Sequence, residues 1–454
     1  MQQFRYSKKS GSRGFIRLTL LIVLPVLVLS PWRQMVGTAA SGSAEFSHLT
    51  NSSAFDEVAQ AEEEADPSCV FQPQDTTSSS DYSDQQVDAL LSNVPGGDVS
   101  SVNCVSDPYP EFNGIAVDPD NNEVLVSDQN RKSLMIYDRR SGSRSPEMTE
   151  PMRRIVGPRT GIGFIAGVAI DPTKREYYTV NNDIEDRMVV FTRDAHGNAV
   201  PVRLLYTPHQ AWGIALDQQN NELAITSEQL NAVMVYRKDA KGLEAPLRVI
   251  KGEGSGMADP HGVFIDPVHN EIVVANHGNY HNDFIRYPYS EKFKPIIPSP
   301  GRFQLPSLTI FSRTAKGEQK PLRTIQGPNT QLKLPMGVHE DLVNDEIAVA
   351  NNGDNSILIF RRTADGDARP VRVIRGPATN IDHPMSVYID AKNNELWVAN
   401  FGNHSATVYD RTAKGNAAPK RIIRNAPMGT PTVGLGNPMA VTYDSKREEV
   451  LVPN

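Results

Sequence analysis

Residues 114–118, Gly114-Ile115-Ala116-Val117-Asp118, form a short apolar run that ends in aspartate, and glutamate follows five positions later at Glu123. The same separation of Asp and Glu occurs in seven places along the chain. The seven pairs begin at Asp118, Asp171, Asp217, Asp266, Asp341, Asp390 and Asp444. Self-similarity of this kind indicates a repeat architecture, so one unit and its copies decide the fold.

Each complete unit contains four short apolar runs. The second run follows the glutamate, as in Val124-Leu125-Val126, and the third ends in an aromatic residue, as in Ile136-Tyr137. The fourth reads Pro-x-Arg-x-hydrophobic, as in residues 246–250. Short runs rich in Val and Ile predict strands rather than helices. Four strands per unit predict an all-β fold, a β-propeller of four-stranded blades.

Seven copies predict seven blades, with six blades and a surplus half-repeat as the alternative. The seventh copy stops after two strands at Asn454, and a ring requires its last blade to be completed. Segments 68–71 and 99–105 are predicted to supply the missing strands. This arrangement places Cys69 and Cys104 on adjacent strands, where an exported chain is expected to form a disulfide.

The second runs share a further signature, because several end in Val-Ala-Asn or Val-x-Asp, as at residues 126–128, 274–276, 349–351 and 398–400. With the small-hydrophobic-x-hydrophobic-Asp start, the units resemble NHL- and YVTN-type repeats of the lactonase-like propeller superfamily over residues 113–454. The resemblance implies a propeller fold shared by ligand-binding scaffolds and sugar-lactone hydrolases. For the hydrolases it implies a calcium or magnesium ion held in the channel by oxygen ligands.

Residues 1–45 are predicted to be a signal peptide or an N-terminal anchor. Basic residues precede an apolar run from Leu18 to Leu29, and small residues follow it. Residues 15–31 are the alternative membrane tether. Residues 46–67 are polar and acidic, which predicts a disordered linker before a propeller at 68–454. The propeller is therefore expected outside the cytoplasm, either periplasmic or secreted.

The net charge of −7 argues against a nucleic-acid partner, because phosphate binding needs a basic field. No nucleophile motif or phosphate loop stands out, and the histidines show no metal-site spacing. No catalytic residue and no metal ligand is therefore predicted.

The residue at the start of each first strand is predicted to lie at the rim of the central channel. Unlike the uniform aspartate, this position varies from copy to copy, as a ligand surface should. Its apolar members are expected either to plug the channel or to form the floor of a pocket. The ring consists of Asn113, Ala166, Trp212, His261, Met336, Met385 and Met439.

An insertion at 278–306 in the fourth unit is the second candidate region. It joins the second strand to the third, which places it on the same face as the ring. Loops of this length are usually functional or disordered, and aromatic content argues against disorder. Side chains suited to stacking and hydrogen bonding with sugars or peptides are Tyr280, Arg286, Tyr287 and Tyr289.

These features predict a binding module that presents one face to a small molecule, a glycan or a protein. Two alternatives stay open. One is a metal-assisted lactonase or lyase that acts in the channel, and the other is a structural domain of an envelope assembly. No cofactor is expected for the binding module, whereas the enzyme requires calcium or magnesium.

Overall fold

The computed structural model describes residues 107–183, 185–280, 302–432, 442–444, 446 and 449–451. Six four-stranded sheets are present in this part of the chain, and the strands of each pair antiparallel in chain order. Each sheet is one blade of a propeller, so the predicted fold class is confirmed.

The first three blades lie between residues 112 and 250. Blade one contains β1 (Phe112–Asp118), β2 (Glu123–Asp128), β3 (Ser133–Asp138) and β4 (Arg153–Ile155). Blade two contains β5 (Phe164–Asp171), β6 (Glu176–Asp183), β7 (Arg187–Thr192) and β8 (Arg203–Tyr206). Blade three contains β9 (Ala211–Asp217), β10 (Glu222–Ser227), β11 (Ala232–Arg237) and β12 (Arg248–Ile250).

Blade four includes the base of the insertion as a separate two-stranded ladder. Its strands are β13 (Pro260–Asp266), β14 (Glu271–Asn276), β17 (Ser307–Ser312) and β18 (Arg323–Gln326), and the ladder is β15 (Asn279–Tyr280) with β16 (Arg302–Phe303). Blade five contains β19 (Pro335–Asp341), β20 (Glu346–Asn351), β21 (Ser356–Arg361) and β22 (Arg372–Arg375). Blade six contains β23 (Pro384–Asp390), β24 (Glu395–Asn400), β25 (Ser405–Asp410) and β26 (Arg421–Arg424).

Short elements complete the described secondary structure. Five 3₁₀ helices lie in the connections, at Pro158–Thr160, Glu253–Ser255, Pro328–Thr330, Asn352–Asp354 and Pro377–Thr379. The seventh repeat contributes a two-stranded hairpin, β27 (Thr442–Asp444) with β28 (Glu449–Leu451).

The repeated Asp and Glu form the first hairpin of every blade. In blade one Asp118 is the cross-strand partner of Glu123, and the Asp118 carboxylate accepts the backbone N–H groups of Asp120 and Asn121 at 3.1 Å. The turn ends on Asn122 in the left-handed region at φ 54, where Asn is better tolerated than most side chains. The repeated aspartate therefore stabilises the turn of the first hairpin.

The repeated Glu and Arg form ion pairs that connect neighbouring blades. In blade four, Glu271 accepts from Arg323 of its own fourth strand at 2.7 Å and from Arg362 of blade five at 3.1 Å. Burial alone would raise the pKa of Glu271, but these two arginines hold it below its ordinary value. Equivalent pairs within a blade are Arg153–Glu123, Arg203–Glu176, Arg248–Glu222, Arg372–Glu346 and Arg421–Glu395.

Blade six packs directly against blade one, so the described ring has six blades rather than the predicted seven. Arg139 of blade one lies 2.8 Å from Glu395 of blade six, and a β-bridge joins Ser143 to Ile422. Buried side chains of both blades share one hydrophobic cluster. The number of Asp–Glu pairs gives the number of repeats, but ring closure depends on which blades pack together. The seventh repeat is a surplus half-repeat that lies outside the six blades.

Several predicted features lie outside the described residues. They are the signal peptide or anchor at 1–45, the linker at 46–67, the closing segments 68–71 and 99–105, and the pair Cys69 and Cys104. Among the residues that the structure describes, no helix has the length and apolar character needed to cross a membrane.

Candidate functional site

The first strands of the six blades surround a central cavity of about 540 Å³. Its lining residues run along each first strand, from the ring position near the strand start to the turn after the hairpin aspartate. Turn residues at the far end, such as Gln219 and Val343, are exposed, so the cavity meets solvent there.

A ring of glycines brings neighbouring first strands into close contact. A Cβ on Gly167 would lie 2.6 Å from the carbonyl oxygen of Trp212, and a Cβ on Gly114 would lie 2.6 Å from that of Ala166. The strands therefore pack backbone against backbone at this level. Blades one to five have a glycine four residues before the hairpin aspartate, and blade six has Ser386 there; the glycines are Gly114, Gly167, Gly213, Gly262 and Gly337.

In each first strand, the residue two positions before the hairpin aspartate faces the cavity. These six residues form a layer, called here the asymmetric layer, because its two sides differ in side-chain size. Blades one to three have alanine here, and blades four to six have aromatic residues. The six side chains, all of which line the cavity, are Ala116, Ala169, Ala215, Phe264, His339 and Tyr388. The small side chains leave open the space that aromatic residues fill on the opposite side. The cavity therefore lies against blades one to three and faces an aromatic wall of Phe264, His339 and Tyr388.

The aromatic wall is continuous and uncharged at neutral pH. The ring centroid of His339 lies 4.7 Å from that of Phe264 and 4.2 Å from that of Tyr388. The backbone N–H of Ile389 donates to Nδ1 of His339 at 3.4 Å. Burial lowers the pKa of His339 to about 4 and raises the pKa of Tyr388.

A buried acid, Glu340, borders the same cavity. It is 3% exposed, and no hydrogen-bond donor among the described residues reaches either carboxylate oxygen. Burial, followed by the negative charges of Asp266 and Glu271, raises the pKa of Glu340 to about 8. The protonated acid can donate to Asp266. At neutral pH this side chain is therefore mainly a neutral acid.

Replacing Glu340 with Gln should stabilise the protein increasingly as the pH rises. In the unfolded chain Glu340 loses its proton near its ordinary pKa of 4.5, whereas the folded protein retains it up to about pH 8. Between these values unfolding releases a proton, so rising pH lowers the stability of the wild type. Gln reproduces the neutral acid without titrating. Its benefit should be small at pH 5 and on the order of a few kcal/mol at pH 8.

Melting temperatures of the wild type and Glu340→Gln between pH 5 and 9 measure this effect. The exposed Glu147 provides a matched control, because Glu147→Gln should follow the wild type at every pH. A constant difference between Glu340→Gln and the wild type across that range would contradict a raised pKa.

The structure brings four of the predicted ring residues together in an entry layer, defined as Trp212, His261, Met336 and Met385. The ring centroids of Trp212 and His261 are 4.8 Å apart, and Trp212 and Met385 pack against a cluster that contains Met336. His261 and Met336 are each 5% exposed. Such mutual packing fits a plug at this end of the channel better than an open pocket floor.

The remaining ring residues are separate from the entry layer. Asn113 lines the cavity and is 1% exposed, and Ala166 is buried beside Gly114. Met439 lies outside the described residues. Ligand contact by any ring residue remains a prediction.

Only the base of the predicted insertion is described. Tyr280 and Arg302 are cross-strand partners, and the Arg302 guanidinium lies 4.2 Å from the centre of the Tyr280 ring. Tyr280 thus stacks with a residue of its own chain. Arg286, Tyr287 and Tyr289 lie outside the described residues, so their part in binding remains a prediction.

Three side chains that can hold a metal ion meet beside the entry layer. They are Asp259, His261 and His277, whose ligand atoms all lie within 4.8 Å of one another. The prediction that the histidines have no metal-site spacing overlooked this group, because its members come from the start of β13 and the end of β14, which pair antiparallel.

Sequence reasoning also missed the aromatic wall, although the sequence contains a signal for it. Aligning the copies on the hairpin aspartate shows Ala in three copies and Phe, His and Tyr in the next three, two residues upstream. Counting outward from the paired Asp266 and Glu271 brings Asp259 only to within one position of His277, and the register shift between Pro260 and Val263 makes the two residues neighbours.

Comparison with solved structures finds similar chains at low sequence identity. The chain is similar to the structure of Kuenenia stuttgartiensis hydrazine synthase, with a TM-score of 0.46, 14% identity, and coverage of 77% of this chain and 97% of that one. It is also similar to a structure of a nidogen/laminin complex, with a TM-score of 0.42, 15% identity, and coverage of 69% and 95%. No family model matches the sequence. No curated protein matches it significantly.

Proposed function

We propose that this protein is a binding module that takes a small, mainly apolar ligand into its central cavity. The observation that carries the proposal is the asymmetric layer, with alanines on three blades opposite the aromatic wall. A channel meant only to be filled has no need of small residues at this level in three consecutive blades. A volume of about 540 Å³ is within the usual range for small-molecule pockets.

The cavity walls favour a flat, uncharged ligand. Aromatic rings in offset or edge contact with Phe264 and Tyr388 gain stabilisation beyond their buried area. The imidazole of neutral His339 is a polar group within this wall, which suits a ligand with a single polar group such as a hydroxyl, carbonyl or ether oxygen. An anionic ligand is disfavoured, because no Lys or Arg among the described residues lines the cavity to offset the cost of its desolvation.

Titration with N-phenyl-1-naphthylamine tests the proposal. This neutral aromatic dye fluoresces strongly only in apolar surroundings. We expect saturable enhancement with one site per chain, competed by non-fluorescent aromatic compounds of similar size. Enhancement that rises linearly with dye and never saturates would contradict a defined pocket.

A second candidate function, a metal-assisted lactonase or lyase, is favoured by the group of Asp259, His261 and His277. Two imidazoles and a carboxylate are a softer ligand set than the oxygen ligands that calcium or magnesium prefer. If the enzyme alternative holds, the ligands point to a transition metal rather than the calcium or magnesium expected from the resemblance.

The repeat pattern supports membership of the NHL- and YVTN-type propellers, and the basic and apolar N-terminus supports export. We place the propeller outside the cytoplasm on the basis of residues 1–45. Fusing residues 1–60 to an alkaline phosphatase that is active only after export should give activity. A cytoplasmic, inactive fusion of full length would contradict this location.

A further inference from the structure

The strand pair β13–β14 holds three metal-ligating side chains at its open end. Asp259 precedes β13, His261 is the second residue of β13, and His277 directly follows β14. The backbone N–H of His277 donates to the carbonyl oxygen of Asp259 at 3.1 Å. The pairing of the two strands therefore fixes the relative positions of all three side chains.

The separations between these ligands are close to those of a metal site. One carboxylate oxygen of Asp259 lies 3.7 Å from Nδ1 of His261, and the other lies 3.6 Å from Nδ1 of His277. Around a tetrahedral Zn²⁺ with bonds of about 2.1 Å, neighbouring ligand atoms are roughly 3.4 Å apart. A contraction of a few tenths of an ångström brings each nitrogen to that separation from the carboxylate oxygen that faces it.

The two imidazoles are stacked face to face, with ring centroids 3.5 Å apart and an angle of 19° between their planes. Nδ1 of His261 is also 3.1 Å from the carbonyl oxygen of Asp259. An ion that takes both Nδ1 atoms requires the rings to turn toward each other and this nitrogen to leave the carbonyl oxygen. The change is confined to side chains and leaves the strand pairing intact.

Groups around the ligands support this orientation. Nε2 of His261 lies 3.3 Å from Glu228, the arrangement in which a metal-bound histidine donates its second N–H to a carboxylate. Asp259 is held from two sides: its backbone N–H donates to the side chain of Asn231 at 3.1 Å, and its carboxylate accepts from Asn279 at 3.3 Å.

From this arrangement we infer that Asp259, His261 and His277 bind one divalent transition-metal ion, for which Zn²⁺ is the best match. Imidazole nitrogen with one carboxylate suits zinc and its neighbours and disfavours calcium and magnesium. Three protein ligands leave at least one coordination position for water or a ligand. The site lies beside the entry layer and is independent of the cavity proposal, since it uses none of the residues of the asymmetric layer.

Calorimetric titration of the chelator-treated full chain with Zn²⁺ tests the site. The wild type should bind one ion, and His277→Gln and Asp259→Asn should each weaken binding by at least about 100-fold. Glu228→Gln should weaken it by about 10-fold, because Glu228 orients a ligand without touching the ion. The exposed His196 of blade two is the matched control, and His196→Gln should bind as the wild type does.

Equal Zn²⁺ binding by the wild type and His277→Gln, or no stoichiometric binding by the wild type, would overturn the site. X-ray absorption of the Zn²⁺-loaded wild type makes the test independent of variant folding. Two imidazole ligands and at least one oxygen are expected in the coordination shell. A shell with fewer than two imidazoles would show that the ion binds elsewhere. A protein that does not bind Zn²⁺ can still bind the dye in the cavity, and a protein that does not bind the dye can still bind Zn²⁺. The two proposals can therefore fail separately.

Discussion

Replacing Ala169 with Trp should weaken binding of N-phenyl-1-naphthylamine by at least about 100-fold. Ala169 belongs to blade two and stands three blades away from His339, so an indole at this position projects across the widest part of the cavity toward the aromatic wall. The dye would lose a large share of its buried apolar surface, which corresponds to several kcal/mol of binding free energy. Fluorescence titration of wild type and variant measures the change.

The control for this variant places the same side chain on the surface of the same blade. Val200 is 55% exposed, so Val200→Trp should bind the dye with the affinity of the wild type. The melting temperature of Ala169→Trp should stay near that of the wild type, because the indole enters existing space. Unchanged dye affinity in a folded Ala169→Trp protein would exclude the cavity as the binding site.

Replacing Gly167 with Ala should destabilise the propeller by about 3 kcal/mol or more. The new Cβ would lie 2.6 Å from the carbonyl oxygen of Trp212 and 3.0 Å from the backbone nitrogen of Ile214. Both obstacles are backbone atoms of the neighbouring first strand, so no side chain can rotate away and two blades must separate instead. The free energy of unfolding in urea measures the loss.

Gly197, in the same blade, is the control position, because alanine there tests the cost of backbone conformation without any steric clash. It has φ +57, and a Cβ there would meet nothing within 4 Å. Gly197→Ala should therefore cost only about 1 kcal/mol, the usual penalty for a left-handed non-glycine residue. Equal losses at the two positions would mean that close packing of the first strands is not what requires Gly167.

The repeat unit made most of the fold predictable. Local patterns determine where the strands lie, because the apolar runs, the hairpin aspartate and the Arg–Glu pair recur in register and each copy folds in the same way. Ring closure is not a local property. Seven Asp–Glu pairs suggested seven blades, but contact of Arg139 with Glu395 closes the ring after six.

The candidate site was less predictable, for two physical reasons. The position at the strand start varies among the repeats, and variation was interpreted as ligand contact, but Trp212, Met336 and Met385 pack on one another. The cavity is created three positions further along the first strands, where the alanines of blades one to three leave space. The cavity exists because blades one to three have alanine where blades four to six have aromatic residues. This difference is visible only when the repeats are compared with one another.

The metal-ligand group was hidden for a related reason. His261 and His277 are 16 positions apart, which matches no compact ligand motif. They become neighbours because Pro260 pairs with Asn276 across β13 and β14, after a register shift within that pair. A bulge of this kind moves side chains relative to simple alternation, so sequence spacing alone does not place the two rings together.

The location of a bound heavy-atom ligand tests the central claim most directly. A crystal of the protein soaked with 2-bromonaphthalene should show an anomalous bromine peak inside the cavity, between Ala169 and the aromatic wall of Phe264, His339 and Tyr388. The same soak of Ala169→Trp crystals should show no peak there. Bromine peaks confined to the entry layer or the outer surface of the wild type, with the cavity empty, would contradict a ligand pocket in the channel.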